Sequence, residues 1–331
     1  MPSLTVTLPD GTPITRYAMA DEGLHEPGPE ENWQESCALI DARDLAQGIS
    51  IFMRFGHEPA MDGGNMTLWA FLKTPELDFK HTEQFPKREG DVAGNCMSAG
   101  GVASYDYDGE HIRFAYDNGE VSWALKLTPL HQPIPLSLDD GADYRKNIGS
   151  SHHENMDLCE GTITIRGEQR PFRALSYRDH SWGPRNWKAM RVHRWTCGQI
   201  GEDFSFAFGN ILSESPAISR RGYIREGAIV HYTNDVEILP LMEADGLTYR
   251  SAVINVGLND GRRFKIDLVP YGKGALNQKR SNFLCDNFCE VRLDGRTGTG
   301  FLEVSENHRV GERTPDVVIN AYLANGLFPK E

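Results

Sequence analysis

The sequence predicts an all-β protein made of two tandem antiparallel barrel-like modules. Period-two alternation of apolar and polar residues recurs along the 331 residues, while apolar positions at i, i+3, i+4 and i+7 over a helical length are nearly absent. Tight-turn dipeptides punctuate the alternation. Two comparable hairpins, one in each half, hint at similar modules.

The clearest hairpin is EHIRFAYDNGEVSWALKL, where Asn118-Gly119 is expected to supply two positive-φ positions between strands near 111–116 and 121–127. TYRSAVINVGLNDGRRFKIDLVP repeats the pattern with a turn at Asp260-Gly261. Further turns are expected near Gln47-Gly48, at Gly167-Glu168 and at Gly201-Glu202-Asp203. Polar stretches at 21–35 and 138–155 interrupt the pattern. The second is taken as the boundary between an N-terminal module, 1–145, and a C-terminal one, 146–331. So many strands leave edges that closed barrels remove; a pair of β-sandwiches is the alternative.

With 34 Lys and Arg against 47 Asp and Glu, the net charge of −13 repels phosphate and anionic lipid, so neither nucleic acid nor a membrane surface is an expected partner. Apolar runs such as Ala228-Ile229-Val230 are far shorter than the roughly 18 residues that span a bilayer. The opening MPSLTVTLPDGTPITR lacks the features of a secretory leader, and a cytoplasmic location is expected. The six cysteines are scattered through a chain long enough to fold without staples, and are read as reduced thiols. Cys285 and Cys289 would share one strand face, but no second pair completes a metal site.

The densest chemistry lies in Ser176-Tyr177-Arg178-Asp179-His180-Ser181-Trp182-Gly183-Pro184-Arg185-Asn186-Trp187. Strand alternation places Arg178, His180 and Trp182 on one face and Tyr177, Asp179 and Ser181 on the other. An arginine, a histidine and an indole in a row are costly in a sealed apolar core unless paired or opened to a cavity. A bend at Gly183-Pro184 would let Asp179 reach the same cavity. The bland alternative is an ion pair of Asp179 with Arg178 or Arg185, plugged by Trp182. Ser151-His152-His153-Glu154 opens the next cluster, in which His153 and Glu154 could orient water or a substrate oxygen. His57 is a candidate wall or turn residue, and His193 and Trp195 share a face on the following strand.

The run Asp179-His180-Ser181-Trp182-Gly183 resembles the Asp-His-x-Trp-Gly signature of the carotenoid 1,2-hydratase (hydroxyneurosporene synthase) superfamily. Asn32-Trp33-Gln34-Glu35-Ser36 and Arg54-Phe55-Gly56-His57-Glu58-Pro59 resemble segments of proteins related to that group. The resemblance implies two lipocalin-like (calycin) β-barrels in tandem, with His180 and Trp182 contributing to an active site. The family's downstream Tyr-x-Asp, whose Asp is its proposed proton donor, has no counterpart in the matching strand GEDFSFAFGN.

Protonating an alkene needs an acid above an apolar pocket and aromatic faces that tolerate developing positive charge. Asp179 and His180 are the candidates for the acid; Tyr177, Trp182, Trp187 and Trp195 are candidate walls, and Arg178 and Arg185 could meet an acidic substrate group. The expected function is a cofactor-independent hydro-lyase, isomerase or cyclase acting on a hydrophobic isoprenoid or aromatic small molecule. The alternative is a lipocalin-like carrier of an apolar ligand. Phosphate-loop, nucleophile-elbow, zinc-helix and dinucleotide signatures are missing, so neither metal nor nicotinamide is expected.

Overall fold

A computed structural model describes residues 19–136, 149–213, 218–279 and 282–307. Its helical elements, among the described residues, are the two short 3-10 turns Met19–Glu22 and Met61–Gly63. No helix among the described residues is long and apolar enough to cross a membrane.

The first sheet has twelve strands: β1 (Trp33–Asp44), β2 (Ile49–Glu58), β3 (Asn65–Lys73), β4 (Asp78–Pro86), β5 (Val92–Ala93), β6 (Cys96–Ala99), β7 (Ala103–Tyr107), β8 (Ile112–Asp117), β9 (Val121–Pro129), β10 (Ile134–Pro135), β11 (Ser151–Ile165) and β12 (Glu168–Pro184). Their order is β4-β3-β2-β1-β12-β11-β9-β8-β7-β6-β5, with β10 beside β11. The second sheet has ten: β13 (Val192–Ile200), β14 (Phe204–Leu212), β15 (Ile218–Glu226), β16 (Ile229–Tyr232), β17 (Asp235–Met242), β18 (Tyr249–Gly257), β19 (Arg263–Pro270), β20 (Ala275–Lys279), β21 (Asn282–Leu293) and β22 (Arg296–Asn307). Their order is β16-β15-β14-β13-β22-β21-β19-β18-β17, with β20 beside β21.

The protein is all-β, and every pairing within its two curled half-barrel sheets is antiparallel. Each sheet wraps its own core. Leu39, Met53, Phe55, Phe114, Leu125 and Phe172 fill the first, and Phe206, Phe208, Ile254, Leu268, Val291 and Leu302 the second. Each such side chain contributes roughly 1.5–3 kcal/mol when fully withdrawn from water.

The compact units part after Arg185, not within 138–155. The polar stretch looks like a linker, but the strands that follow it return to the first sheet, where β12 pairs with β1 and β11 with β9. Residues 149–185 therefore belong to the first unit. Part of the stretch, 137–148, lies outside the described residues.

All five expected hairpins form, with two changes of turn chemistry. Only Gly119 of the Asn118-Gly119 pair has positive φ, at 87°; Asn118 instead accepts the Glu120 and Val121 amides through its side-chain oxygen. The β11–β12 turn is Arg166-Gly167, with φ of 52° and 83°, one residue earlier than expected. Asp294-Gly295 makes the matching β21–β22 turn, with φ of 48° and 77°. The six cysteines are free, and Cys285 and Cys289 both pack in the second core.

Candidate active site

Four neighbouring strands, β2, β1, β12 and β11, carry three successive rungs on the face that meets the first core. The rungs read His57, Glu35, Trp182, Ser151; then Phe55, Cys37, His180, His153; then Met53, Leu39, Arg178, Asn155. Alternation thus brings Arg178, His180 and Trp182 to one face, as the sequence pattern requires. The strand stays in register through Pro184, opposite Trp33. Gly183 makes this possible: its φ of +117° and the Ser150 amide 2.3 Å from where a Cβ would stand exclude any side chain.

The chain preceding β1 lays Glu22 and His25 over these rungs. Glu22 is the hub. Its carboxylate accepts from His153 Nε2 at 2.9 Å and from Arg178 Nη1 at 2.5 Å, and lies 3.8 Å from His180 Nδ1. Tyr105 donates its hydroxyl to the Glu22 backbone oxygen at 3.2 Å. The Arg178 Nε stands 2.8 Å from Asp157 Oδ2. His180 Nε2 meets Glu35 Oε1 at 3.0 Å, and the same oxygen meets His25 Nδ1 at 2.8 Å. The His25 ring stacks on Trp182 with centroids 3.6 Å apart and planes 13° from parallel.

Electrostatics follow from this packing. Burial alone would strip the proton from His180, but Cys37, Glu22 and Glu35 around it reverse that and hold its pKa well above the usual imidazole value. Burial likewise pushes the Cys37 thiol up, and the Glu22 and Glu35 carboxylates lie 3.8 and 3.0 Å from the imidazole. Against the same desolvation, Arg178 and His153 keep Glu22 well below its ordinary value, and His180 with His25 bring Glu35 down to about 2. Burial lowers His153 to about 4, making it a neutral donor to Glu22. It raises Asp157 to about 6 despite Arg178.

The remaining candidates fall elsewhere. Asp179 projects from the opposite face, 3.5 Å from His152 Nε2, which is also 3.1 Å from Glu154 Oε1. Because β12 does not bend, Asp179 neither reaches the His180 cluster nor pairs with Arg178, whose carboxylates are Glu22 and Asp157. His153 and Glu154, adjacent in sequence, are likewise separated onto opposite faces. Tyr177 is buried on the Asp179 face. Arg185 donates to Ser181 Oγ at 3.0 Å. His57 is buried edge-on to Trp33, and burial with Lys87 nearby brings its pKa to about 4. Trp187, His193 and Trp195 belong to the second unit: Trp187 accepts from Asn282 through its backbone oxygen, His193 Nδ1 sits 2.8 Å from Glu303, and Trp195 packs near Phe301. A cavity of about 470 Å³ in the first unit, lined by Ser104, Tyr116, Trp123, Thr162, Thr164 and Gln169 among others, holds none of the network residues.

Glu22, His25, Glu35, Cys37 and Asp157 are absent from the sequence-derived candidates. Glu22 and His25 lie in or beside the polar stretch 21–35, whose interruption of the alternation was the available signal. Glu35 lies in one of the segments that carry the family resemblance.

Two groups could present three ligand atoms to a metal ion: Glu22, His153 and His180, or His25, Glu35 and His180. Direct nitrogen–oxygen contacts of 2.8–3.0 Å already close both groups, and Arg178 sits on the Glu22 carboxylate. Ligands at about 2.0–2.2 Å around zinc would have to spread apart.

The fold matches three solved structures. NE1406 of Nitrosomonas europaea, assigned as an AttH, superposes with a TM-score of 0.68 at 14% identity, over 92% of this chain and all of its own. CghA in complex with Sch210972 gives 0.60 at 13%, over 86% and 93%. Kievitone hydratase from Nectria haematococca gives 0.62 at 11%, over 92% and 97%. These neighbours share the tandem lipocalin-like barrel architecture. No curated protein matches the chain by sequence. Residues 18–308 match one family model across nearly the whole described chain, and the protein belongs to that family, the domain of unknown function DUF7064.

Proposed function

We propose that the first unit is a cofactor-independent acid–base enzyme, a hydro-lyase or isomerase, acting on a hydrophobic alkene-bearing molecule of isoprenoid or aromatic type. His180 is the acid. The observation that carries this reading is a buried imidazole, 1% exposed, whose two ring nitrogens lie 3.8 Å from Glu22 and 3.0 Å from Glu35 at the edge of an apolar core, a setting that raises its pKa. An acid kept charged in a dry site is poised to protonate a carbon–carbon double bond, and the Trp182 face beside it can stabilise the resulting cation. In hydration, His180 gives its proton to one alkene carbon, water attacks the other, and the neutral imidazole takes back the proton that water releases. In isomerisation it takes a proton from the neighbouring carbon.

Two neighbours support the reading by their names: one is a hydratase and another is held with a small molecule. Asp179, turned to the other face, takes no part in proton transfer here.

The test is to incubate the protein with kievitone, alkene-bearing phenols and linear polyenes in deuterated, ¹⁸O-enriched water. Hydration adds one deuterium on carbon and one ¹⁸O; isomerisation can exchange carbon-bound hydrogen but adds no oxygen. His180→Gln should cut conversion by about 10²–10⁴-fold. Molecules that bind tightly and return unchanged would overturn the enzyme reading in favour of a carrier.

A further inference from the structure

A buried imidazole comes to its charge state only by exchanging protons with water, and among the described residues the surroundings of His180 offer one route. Its neighbours are Glu22, Glu35, Cys37, His153, Arg178 and Trp182. Glu22, Glu35, Cys37, His153 and Arg178 are all 2% exposed or less. Trp182 reaches the edge of the site, but an indole N–H donates and does not relay. His25 differs. Its side chain is 26% exposed while its Nδ1 lies 2.8 Å from Glu35 Oε1, the oxygen that also meets His180 Nε2 at 3.0 Å.

We infer that His25 is a proton-relay residue, carrying protons between solvent and His180 through the single bridging oxygen Glu35 Oε1. In the inward direction, protonated His25 gives its Nδ1 proton to Oε1, and Oε1 passes it to the unprotonated Nε2 of His180. No electron transfer or co-reactant is involved, and His25 then regains a proton from water. Two features fix the geometry. The stack on Trp182 orients the imidazole plane, and the His25 backbone amide, 3.0 Å from the same Glu35 oxygen, ties the segment to the carboxylate. Glu35, held ionised, carries the proton only in passing, as a relay requires.

The inference rests on His180 being the proton-bearing group of the proposed site, but its test needs no substrate. With ¹⁵N-labelled histidine, the exchange of the His180 Nε2–H with water is measured by NMR in the intact chain. His25→Phe keeps a ring to stack on Trp182 and removes the nitrogen that contacts Glu35 Oε1. It is expected to slow that exchange by about tenfold or more, with imidazole added to the buffer restoring the rate in the variant and leaving the wild type unchanged. An unchanged exchange rate overturns the relay. So does a slowing that imidazole does not rescue, because a merely structural role for His25 would give that result. Should His25→Phe fold poorly, His25→Gln provides the same comparison. If His180 proves unprotonated in the wild type, the acid reading fails first, and the Nε2–H signal is missing before any variant is made.

Discussion

The two units share a topology but carry different charges at the same rung. In each, the first strand of the unit pairs with its last, β1 with β12 and β13 with β22, and a long two-residue-turn hairpin closes the sheet. Counted from those turns, Arg178 opposite Asn155 and Glu306 opposite Phe283 occupy equivalent places. In the second unit the buried charge is settled by a single partner. Arg194 Nη2 meets Glu306 at 2.5 Å, and its Nη1 donates to the backbone oxygens of Ser305 and His193. Burial raises the Glu306 pKa in spite of Arg194. In the first unit Arg178 anchors two carboxylates, one of which extends through His153 toward His180, and Glu22 is held low. The difference teaches that this fold tolerates a buried ion pair as a clamp, and that the first unit extends such a clamp with imidazoles into a wider network.

The largest expected effect separates the two clamps. Arg178→Met leaves Glu22 and Asp157 without their guanidinium, with an expected loss of about 3–5 kcal/mol. Arg194→Met leaves one carboxylate that burial already inclines to take a proton, and about 1–3 kcal/mol should be lost. Chemical denaturation of both variants checks this. Equal losses would break the comparison.

Acidification comes next. The folded pKa of His153 is about 4 against an ordinary 6.5, so the stability it confers is complete above pH 6.5 and is lost as pH falls toward 4. His57 adds a change of the same sign. Asp157, raised to about 6, opposes them, because its contribution declines as pH rises from about 4 to 6. The downward slope of melting temperature between pH 6.5 and 4 should flatten in His153→Asn and persist in a His193→Asn variant of the second unit. A slope unaffected by His153→Asn would remove the histidine from the account.

How much of this could be read in advance differs between fold and site. Alternation and turn dipeptides expose the strands because both are local. The Asp294-Gly295 turn was equally readable, as an Asp-Gly pair between alternating runs. The unit boundary was not, because the return of β11 and β12 to the first sheet is a long-range pairing with no local mark. Within the site, the shared face of Arg178, His180 and Trp182 followed from strand periodicity. The carboxylates that charge His180 did not: Glu35 arrives through strand register, and Glu22 through a non-strand segment more than 150 residues away in sequence from Arg178. Asp179 was the nearest acid in sequence to His180, and the pleat places it on the opposite face.

Two smaller effects sharpen that point. Asp179→Asn should change turnover by less than about tenfold and stability by about 1 kcal/mol or less, since its partner is His152 at 3.5 Å on the far face. A loss of 10²-fold or more would return Asp179 to the chemistry. Treatment with a strong chelator should leave turnover unchanged; a loss reversed by zinc would show that the histidine–carboxylate groups hold a metal.

The central claim is that His180 carries a proton at neutral pH because two carboxylates hold it there. The ¹⁵N chemical shifts of its ring nitrogens, followed by NMR through a pH titration, report this directly. The account predicts both nitrogens still protonated at neutral pH, with a midpoint above the ordinary one near 6.5. A His180 ring that is neutral at pH 7, or that titrates at or below 6.5, would contradict it.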